Sequence, residues 1–412
     1  MSRRRMPAKR AGVGMAVALA ALLAFSGGTA FAKQEFVVGI ASWSDQAVDF
    51  YTNVVAKKFE ELHPDLEVTL QRISWSADQI AVRYASGVAP DVIQFGSDKF
   101  GSYAAMLEPL DTYMEIRPLE DFYDIPNAAL EASRIDGRLY AVPWHIEVRT
   151  LVYNMEYFRQ AGIDASRGPA TWDEVREYAR KTTSRTADGD WRVEGVTIEP
   201  HWYVFAPWVF QAGGRWVDDD GVTSGLRAEG VRRAIEFAVD LVHEAGVAAH
   251  PSVGLEFLAG QSAMAIEGVE AVFGGPGIDA SDVGVSPPPA GVRSTTLVAP
   301  SVWAVINRSE HKDAAWDWIR LATSVESFAE MGRRLLAVPP RLSLVDEPPM
   351  SLDRRIRLFL ELSGIATSFN GSNPAFEEVM HEVVSPTLRA IIFEGEPISL
   401  LEQAADRADA ML

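Results

Sequence analysis

The chain has 412 residues, 38 basic against 57 acidic, for a formal net charge of −19, and it contains no cysteine. A surface this negative repels nucleic acid and anionic membrane, and without cysteine there is no disulfide, no thiolate-bound zinc and no lipid-modified cysteine. The seven histidines are scattered without close pairs, so a His-based metal site is not expected, and no pattern implies a cofactor.

The first 32 residues stand apart. A basic head, "MSRRRMPAKR", precedes an apolar run, "GMAVALAALLAF", and small residues ending in an Ala-x-Ala site at Ala30 to Ala32. This pattern predicts an exported protein cleaved after Ala32; a membrane span would need about 20 apolar residues. "SRRRM" followed by Lys9 also fits the twin-arginine route, so the export route stays open. Cleavage would leave 33 basic against 57 acidic groups, a net charge of −24. An Ala-x-Ala site without a lipid-bearing cysteine points to a Gram-negative periplasm. The remaining chain, about 380 residues, exceeds what one core usually supports, so two domains are expected.

"EFVVGIAS" (35–42) reads as a strand, "QAVDFYTNVVAKKFEELHP" (46–64) as a helix stopped by Pro64, and "LEVTLQRI" (66–73) as a second strand. "DQIAVRYASG" (78–87) is a helix closed by Gly87, and "PDVIQF" (90–95) a third strand. This alternation implies a parallel, doubly wound α/β sheet, whose ligands sit beyond the carboxyl ends of its strands. Those ends carry Trp43, Ser44 and Asp45, then Ser74 and Trp75, then Phe95, Ser97 and Asp98. Next comes "GRLYAVPWHIEVRTLVYN" (137–154), a strand-like run interrupted by Pro143, Trp144, His145 and Glu147.

A second α/β unit follows. It has the helix "TWDEVREYARKT" with Thr171 as N-cap, the strand "VEGVTI", the aromatic segment "PHWYVFAPWVFQAGG" and the helix "AEGVRRAIEFAVDLVHEAG". "FLAGQSAMAIEG" (257–268) ends in a strand and a glycine turn, and "VGVSPPPAGV" (283–292) is a rigid connector. "LVAPSVWAVIN" reads as a strand pair or one bent strand, and "HKDAAWDWIRLATS", "RIRLFLELSG" and "ISLLEQAADRADAML" as helices.

Catalytic signatures are thin. There is no nucleophile elbow or P-loop, and "GPGIDA" (275–280) lacks the helix that a dinucleotide fingerprint needs. The triplets "NRS" at 307 and "NGS" at 370 fit a glycosylation pattern that is common by chance. Asp45, Asp98 and Glu147 could pair as acid and nucleophile of a glycosidase, but the sequence does not fix their separation. The recurring theme is aromatic rings beside short polar groups. That chemistry suits sugars, whose C–H faces pack on rings while charged groups hold the hydroxyls. Of the eleven tryptophans, about half or more are expected to be packing residues.

Five stretches in order carry a resemblance: "GVAPDVIQFGSDKFGSYAAMLEPLD" (87–111), "GRLYAVPWHIEVRTLVYNMEYFRQAGID" (137–164), "TWDEVREYA", "AGQSAMAIEG" and "VWAVINRSEHKDAAWDWIRLATS". Together they resemble the extracytoplasmic carbohydrate-binding proteins of ABC importers, the maltodextrin-binding family, over essentially the whole mature chain. The resemblance implies a two-lobed α/β periplasmic-binding-protein fold with a hinge of crossing segments and a cleft between lobes. It also implies a monomeric carrier, without catalysis or cofactor, that delivers sugar to membrane permease subunits. Lobe I would be 33–143 plus 297–348, and lobe II 144–296 plus 349–412.

By the same resemblance, Trp144, His145 and Glu147 sit at the hinge facing the cleft, with Glu147 at a sugar-binding carboxylate position. Asp98 and Lys99 match an acid and a base that hold hydroxyls, Phe95 stands where a tryptophan often does, and Tyr203 fits a stacking tyrosine. Asp45 corresponds loosely to another ligand residue, Trp303 sits where the first lobe resumes, and Arg341 follows the Pro turn. Two positions depart from the family: Glu270 and Glu377 replace stacking tryptophans. A long glucan platform is therefore not implied, and the extra acids suggest a smaller or more polar neutral sugar, or one with a positive group. Trp43 adds a ring at a strand end, and Trp75, Trp144, Trp202 and Trp303 would supply the others. An exported glycoside hydrolase or lyase, and a binding lobe feeding a sensor kinase, are the rival readings.

Overall fold

The computed structural model describes residues 33–41, 44–73, 77–248, 256–335, 338–369 and 371–412. The expected signal peptide and the expected ligand residues Trp43 and Trp75 lie outside the described residues.

Seven strands form the main sheet: β1 (Gln34–Ala41), β2 (Leu66–Ile73), β3 (Val92–Gly96), β4 (Val142–Asn154), β5 (Met264–Glu267), β6 (Val283–Val285) and β7 (Leu297–Val305). Their order is β6-β4-β7-β3-β1-β2, with β5 also paired to β4. β1 runs parallel to β2 and β3, as the alternation of strands and helices predicts, while β7 joins β3 and β4 antiparallel. The Thr171 cap is as read from the sequence, its hydroxyl accepting from the Glu174 amide at the start of Trp172–Thr182, and the structure adds a second, the Ser44 hydroxyl accepting from the Ala47 amide.

β4 organises the rest. Its first part, Val142 to Arg149, pairs with β7, and from Thr150 onward it pairs with β5 and β6 instead. Successive side chains on a strand point to opposite faces. Trp144, Ile146 and Val148 enter one core, built around β1, β2 and β3; Leu151 and Tyr153 enter a second, built from residues 151–299 and 369–408. The result is a two-lobed α/β protein. Each lobe buries its own apolar set, and β4 and β7 are the strands common to both.

Several elements differ from the sequence reading. "VGVSPPPAGV" is not only a connector, because Val283–Val285 pairs with β4. The "VEGVTI" strand stops at Val193 and continues only as a single bridge from Glu194 to Ser262. The aromatic segment forms the helix Trp202–Gln211 with Pro207 inside it, a residue that argues against helix in a sequence pattern. The helices Val325–Leu335 and Ser385–Phe393 have no counterpart in the reading. The helix Arg354–Ser363 sends Ile356, Phe359, Leu360 and Leu362 into the first core, while Arg355 donates to the Val283 carbonyl of the other side at 3.1 Å.

Five of the expected ligand residues are buried in the cores instead, Trp202 of the second core among them. Trp144 and Trp303, 1% and 0% exposed, pack edge-on against Tyr51 at 6.3 and 5.3 Å between ring centres, and Trp318 lies 6.0 Å from Trp303. The Tyr51 hydroxyl accepts from Gln94 at 2.8 Å. Trp144 therefore points away from the cleft because it sits one residue out of phase with His145 and Glu147. Phe95 packs edge-on to Tyr103 at 4.8 Å in a third small cluster. Arg341 is fully buried, with its guanidinium donating to the carbonyls of Asp121 and, at 3.0 Å, Thr323. It ties two loops of the first lobe.

Truncating Trp144 removes a buried ring from the shared packing. Trp144→Ala is expected to cost about 3–5 kcal/mol of stability, read by denaturant unfolding; a loss under 1 kcal/mol would contradict its core role.

Candidate functional site

The cleft face of β4 carries three polar residues in alternate positions, His145, Glu147 and Arg149. The Arg149 guanidinium donates from Nε to Glu147 Oε1 at 2.8 Å, with Nη2 also 2.8 Å from that oxygen, and lies 5.3 Å from the centre of the Tyr203 ring. Tyr203 opens the helix Trp202–Gln211, and its amide donates to the His201 ring at 3.3 Å, which caps that helix. Burial would lower the Arg149 pKa, but Glu147, Tyr203, Glu270 and Glu267 outweigh it and raise it further. Burial first, and then the Glu147 carboxylate, push the Tyr203 phenol well up.

A second group faces this one. Asp98 and Lys99 form the turn after β3, and the Lys99 ammonium lies 3.4 Å from Asp98 and 2.5 Å from Glu377. Burial disfavours its charge, yet Asp98 and Glu377 hold it protonated, with a raised pKa. Asp98 is also pushed up by burial, against the pull of Lys99, and its charge reaches Tyr203. The pairing bridges the lobes, because Glu377 belongs to the helix Phe376–Val379 of the second core. Glycine makes that approach possible. Gly101 donates to the Gly371 carbonyl at 2.8 Å, and a Cβ at 101 would fall on the Asn373–Pro374 peptide.

Further acids lie near Arg149, of which Glu267 is buried and Glu199 half-buried. Glu267 ends β5 at 8% exposure, and burial followed by the nearby Glu270, Glu199 and Glu256, against Arg149, pushes it up to about 7. Glu199 is raised for the same first reason. The imidazoles stay neutral: burial lowers His145 to about 4, and burial with His381 and Arg149 lowers His201 to about 4.

Of the expected ligand residues, the structure brings Asp98 and Lys99 together, and Glu147, Tyr203 and Glu270 around Arg149. Asp45 is exposed and pairs with Arg72 at the ends of β1 and β2, with no ion pair to either group. Trp202 is buried between Phe369 and Phe376, at 5.3 and 5.5 Å, so its indole supports Tyr203 from behind. Arg149, Glu199, His201 and Glu267 were not among the expected ligand residues. For Arg149 a signal existed, since His145, Glu147 and Arg149 share the two-residue period that puts them on one strand face. Glu267 had only a weaker one, a carboxylate between a buried strand and a glycine.

Residues 43–327 match the model of a family described as bacterial extracellular solute-binding protein. The chain belongs to that family. This solute-binding protein is 24% identical over 389 residues to a candidate binding protein of Brucella abortus (strain 2308), covering 88% of this chain and 90% of the other. It is 26% identical over 299 residues to a diacetylchitobiose binding protein of Streptomyces coelicolor, covering 68% and 65%. Its fold matches a cyclic α-maltosyl-1,6-maltose binding protein from Arthrobacter globiformis, with a TM-score of 0.79 at 19% identity over 92% of this chain and 99% of that one. The rival hydrolase reading is not favoured, since the family is described as solute-binding and these relatives are named for binding.

Glu267 gives a test in the free protein. An acid with a raised pKa keeps its proton in the folded state while the unfolded chain releases it. Its stabilising contribution is therefore full below about pH 4.5 and lost as pH rises through about 7. Glu267→Gln should remove that loss and make the protein roughly 1–3 kcal/mol more stable than wild type at pH 8, with little gain at pH 4.5. Equal stabilities at pH 8 would show that Glu267 is not strained by its surroundings.

Proposed function

We propose that this protein captures a carbohydrate outside the cytoplasm and delivers it to the membrane permease of an ABC importer. The observation that carries this reading is the β4 face. An arginine and a carboxylate are locked to each other beside a tyrosine ring, near the Lys99–Glu377 pair that joins the two lobes. A sugar needs this combination, an aromatic surface for its C–H groups and fixed charge-assisted partners for its hydroxyls. The names of the relatives, which include diacetylchitobiose and lactose binding, support the same class.

The hydroxyl-binding residues are Glu147, Arg149 and Tyr203 on one side and Asp98, Lys99 and Glu377 on the other, with Glu270 at the rim. Ligand touching both groups favours the closed arrangement of the lobes, and that arrangement is what a permease would recognise. The hinge is the β4–β7 pair, with lobe I comprising 33–143 plus 297–348 and lobe II beginning at 144 and resuming after 349. The packing of Arg354–Ser363 in the first core supports moving that last boundary to about 363. Export by a signal peptide cleaved after Ala32, a periplasmic location and a monomeric state complete the reading. Among the described residues, no helix is long and apolar enough to cross a membrane.

The experiment is thermal unfolding of residues 33–412 against mono- and disaccharides, sugar alcohols and amino acids, with product analysis on the same samples. A cognate sugar at 100 times its Kd is expected to add about 2.7 kcal/mol of stability without turnover. Arg149→Ala should weaken that binding by about 1–3 kcal/mol, roughly 5- to 150-fold. A shift with amino acids only, or released product, would overturn the proposal.

A further inference from the structure

The recess holds far more negative than positive charge. Glu147, Glu199, Glu267 and Glu270 act on Arg149 or feel it, and Glu256 acts on Glu199 and Glu267. Asp98 and Glu377 flank Lys99, the second cation. The two buried imidazoles add no charge at neutral pH.

Part of this charge is internally paired. Arg149 is committed to Glu147 and Lys99 to Asp98 and Glu377. Glu267 is different. At 8% exposure its carboxylate makes no hydrogen bond or ion pair among the described residues, and the Glu270 carboxylate folds back over Gly268 beside it. Burying an unpaired carboxylate is costly, and a fold that keeps one holds an acceptor ready for a donor that is not part of the chain. Among the described residues no three carboxylates or imidazoles come close enough together to hold a metal ion. Acids spaced too widely to chelate suit an organic ammonium, which directs its N–H groups outward to several acceptors.

We infer that the solute is a sugar carrying a protonated amine, seated with its ammonium toward Glu267 and Glu270 and its hydroxyls on the Glu147–Arg149 and Asp98–Lys99 pairs. This rests on the sugar-binding reading and narrows it to a substrate class. A neutral sugar leaves Glu267 unpaired, and an acidic one meets a surplus of like charge.

The test is titration calorimetry at pH 7 on residues 33–412 with matched sets that differ only at the nitrogen position. One set is glucose, glucosamine and N-acetylglucosamine; another is cellobiose, chitobiose and N,N′-diacetylchitobiose; putrescine serves as an amine without a ring. Within at least one set the free amine should bind at least tenfold tighter than both its hydroxyl and its N-acetyl counterparts. Glu267→Gln, which keeps the shape of the side chain, should cut that ratio at least fivefold. A hydroxyl or N-acetyl sugar that binds as tightly as the amine overturns the inference and leaves sugar binding intact. An amine preference unchanged by Glu267→Gln overturns the placement of the ammonium. Binding of putrescine alone, or of nothing in the panel, overturns both the inference and the sugar reading beneath it.

Discussion

The alternation of side chains along β4 is the constraint on which the rest of the molecule depends. Its thirteen residues serve both lobes. One face gives Trp144, Ile146 and Val148 to the first core, and the other gives Leu151 and Tyr153 to the second. The stretch of that second face which precedes Leu151 is covered by neither core. His145, Glu147 and Arg149 occupy it, so the polar floor of the recess and the mechanical link between lobes are one strand. A shift of one residue would exchange Trp144 with His145 and bury the charges in the first core.

The electrostatics follow from that placement. Charges held at low exposure are expensive unless paired, and the two cations are each held by carboxylates: Arg149 by Glu147, Lys99 by Asp98 and Glu377. These pairs fix the direction of every donor and acceptor before ligand arrives, so binding need not spend energy on ordering them. Lys99 with Glu377 spans the two lobes, and the glycine contact at 101 and 371 brings their backbones together nearby. Glu267 is the exception to the pairing, and the destabilised form in which it is kept is the kind of trade between stability and function that binding sites make.

Much of this was legible in the sequence, and the failures are physical. The parallel β1-β2-β3 unit, the Thr171 cap and the paired Asp98 and Lys99 follow from local patterns and from family resemblance. The aromatic residues were harder. Trp144, Trp303 and Phe95 satisfy the rule that rings near strand ends line a cleft, yet each points into a core, because the rule does not say which face a strand residue takes. The same two-residue period, applied strictly to 144–149, separates Trp144 from Glu147 and pairs Glu147 with Arg149. Arg341 could not be read, since its partners are carbonyls of Asp121 and Thr323, brought near only by the fold. Glu267 likewise gains its character from Arg149 and from acids distant in sequence.

The central claim is that solute binds between the lobes against the β4 polar face. The most direct measurement is a crystal structure of residues 33–412 grown with the sugar that raises its melting temperature most. The account predicts a sugar ring beside Tyr203, with hydroxyls within hydrogen-bonding distance of Glu147 and Arg149 on one side and Asp98 or Lys99 on the other. A sugar bound away from β4, or touching one lobe alone, would contradict it.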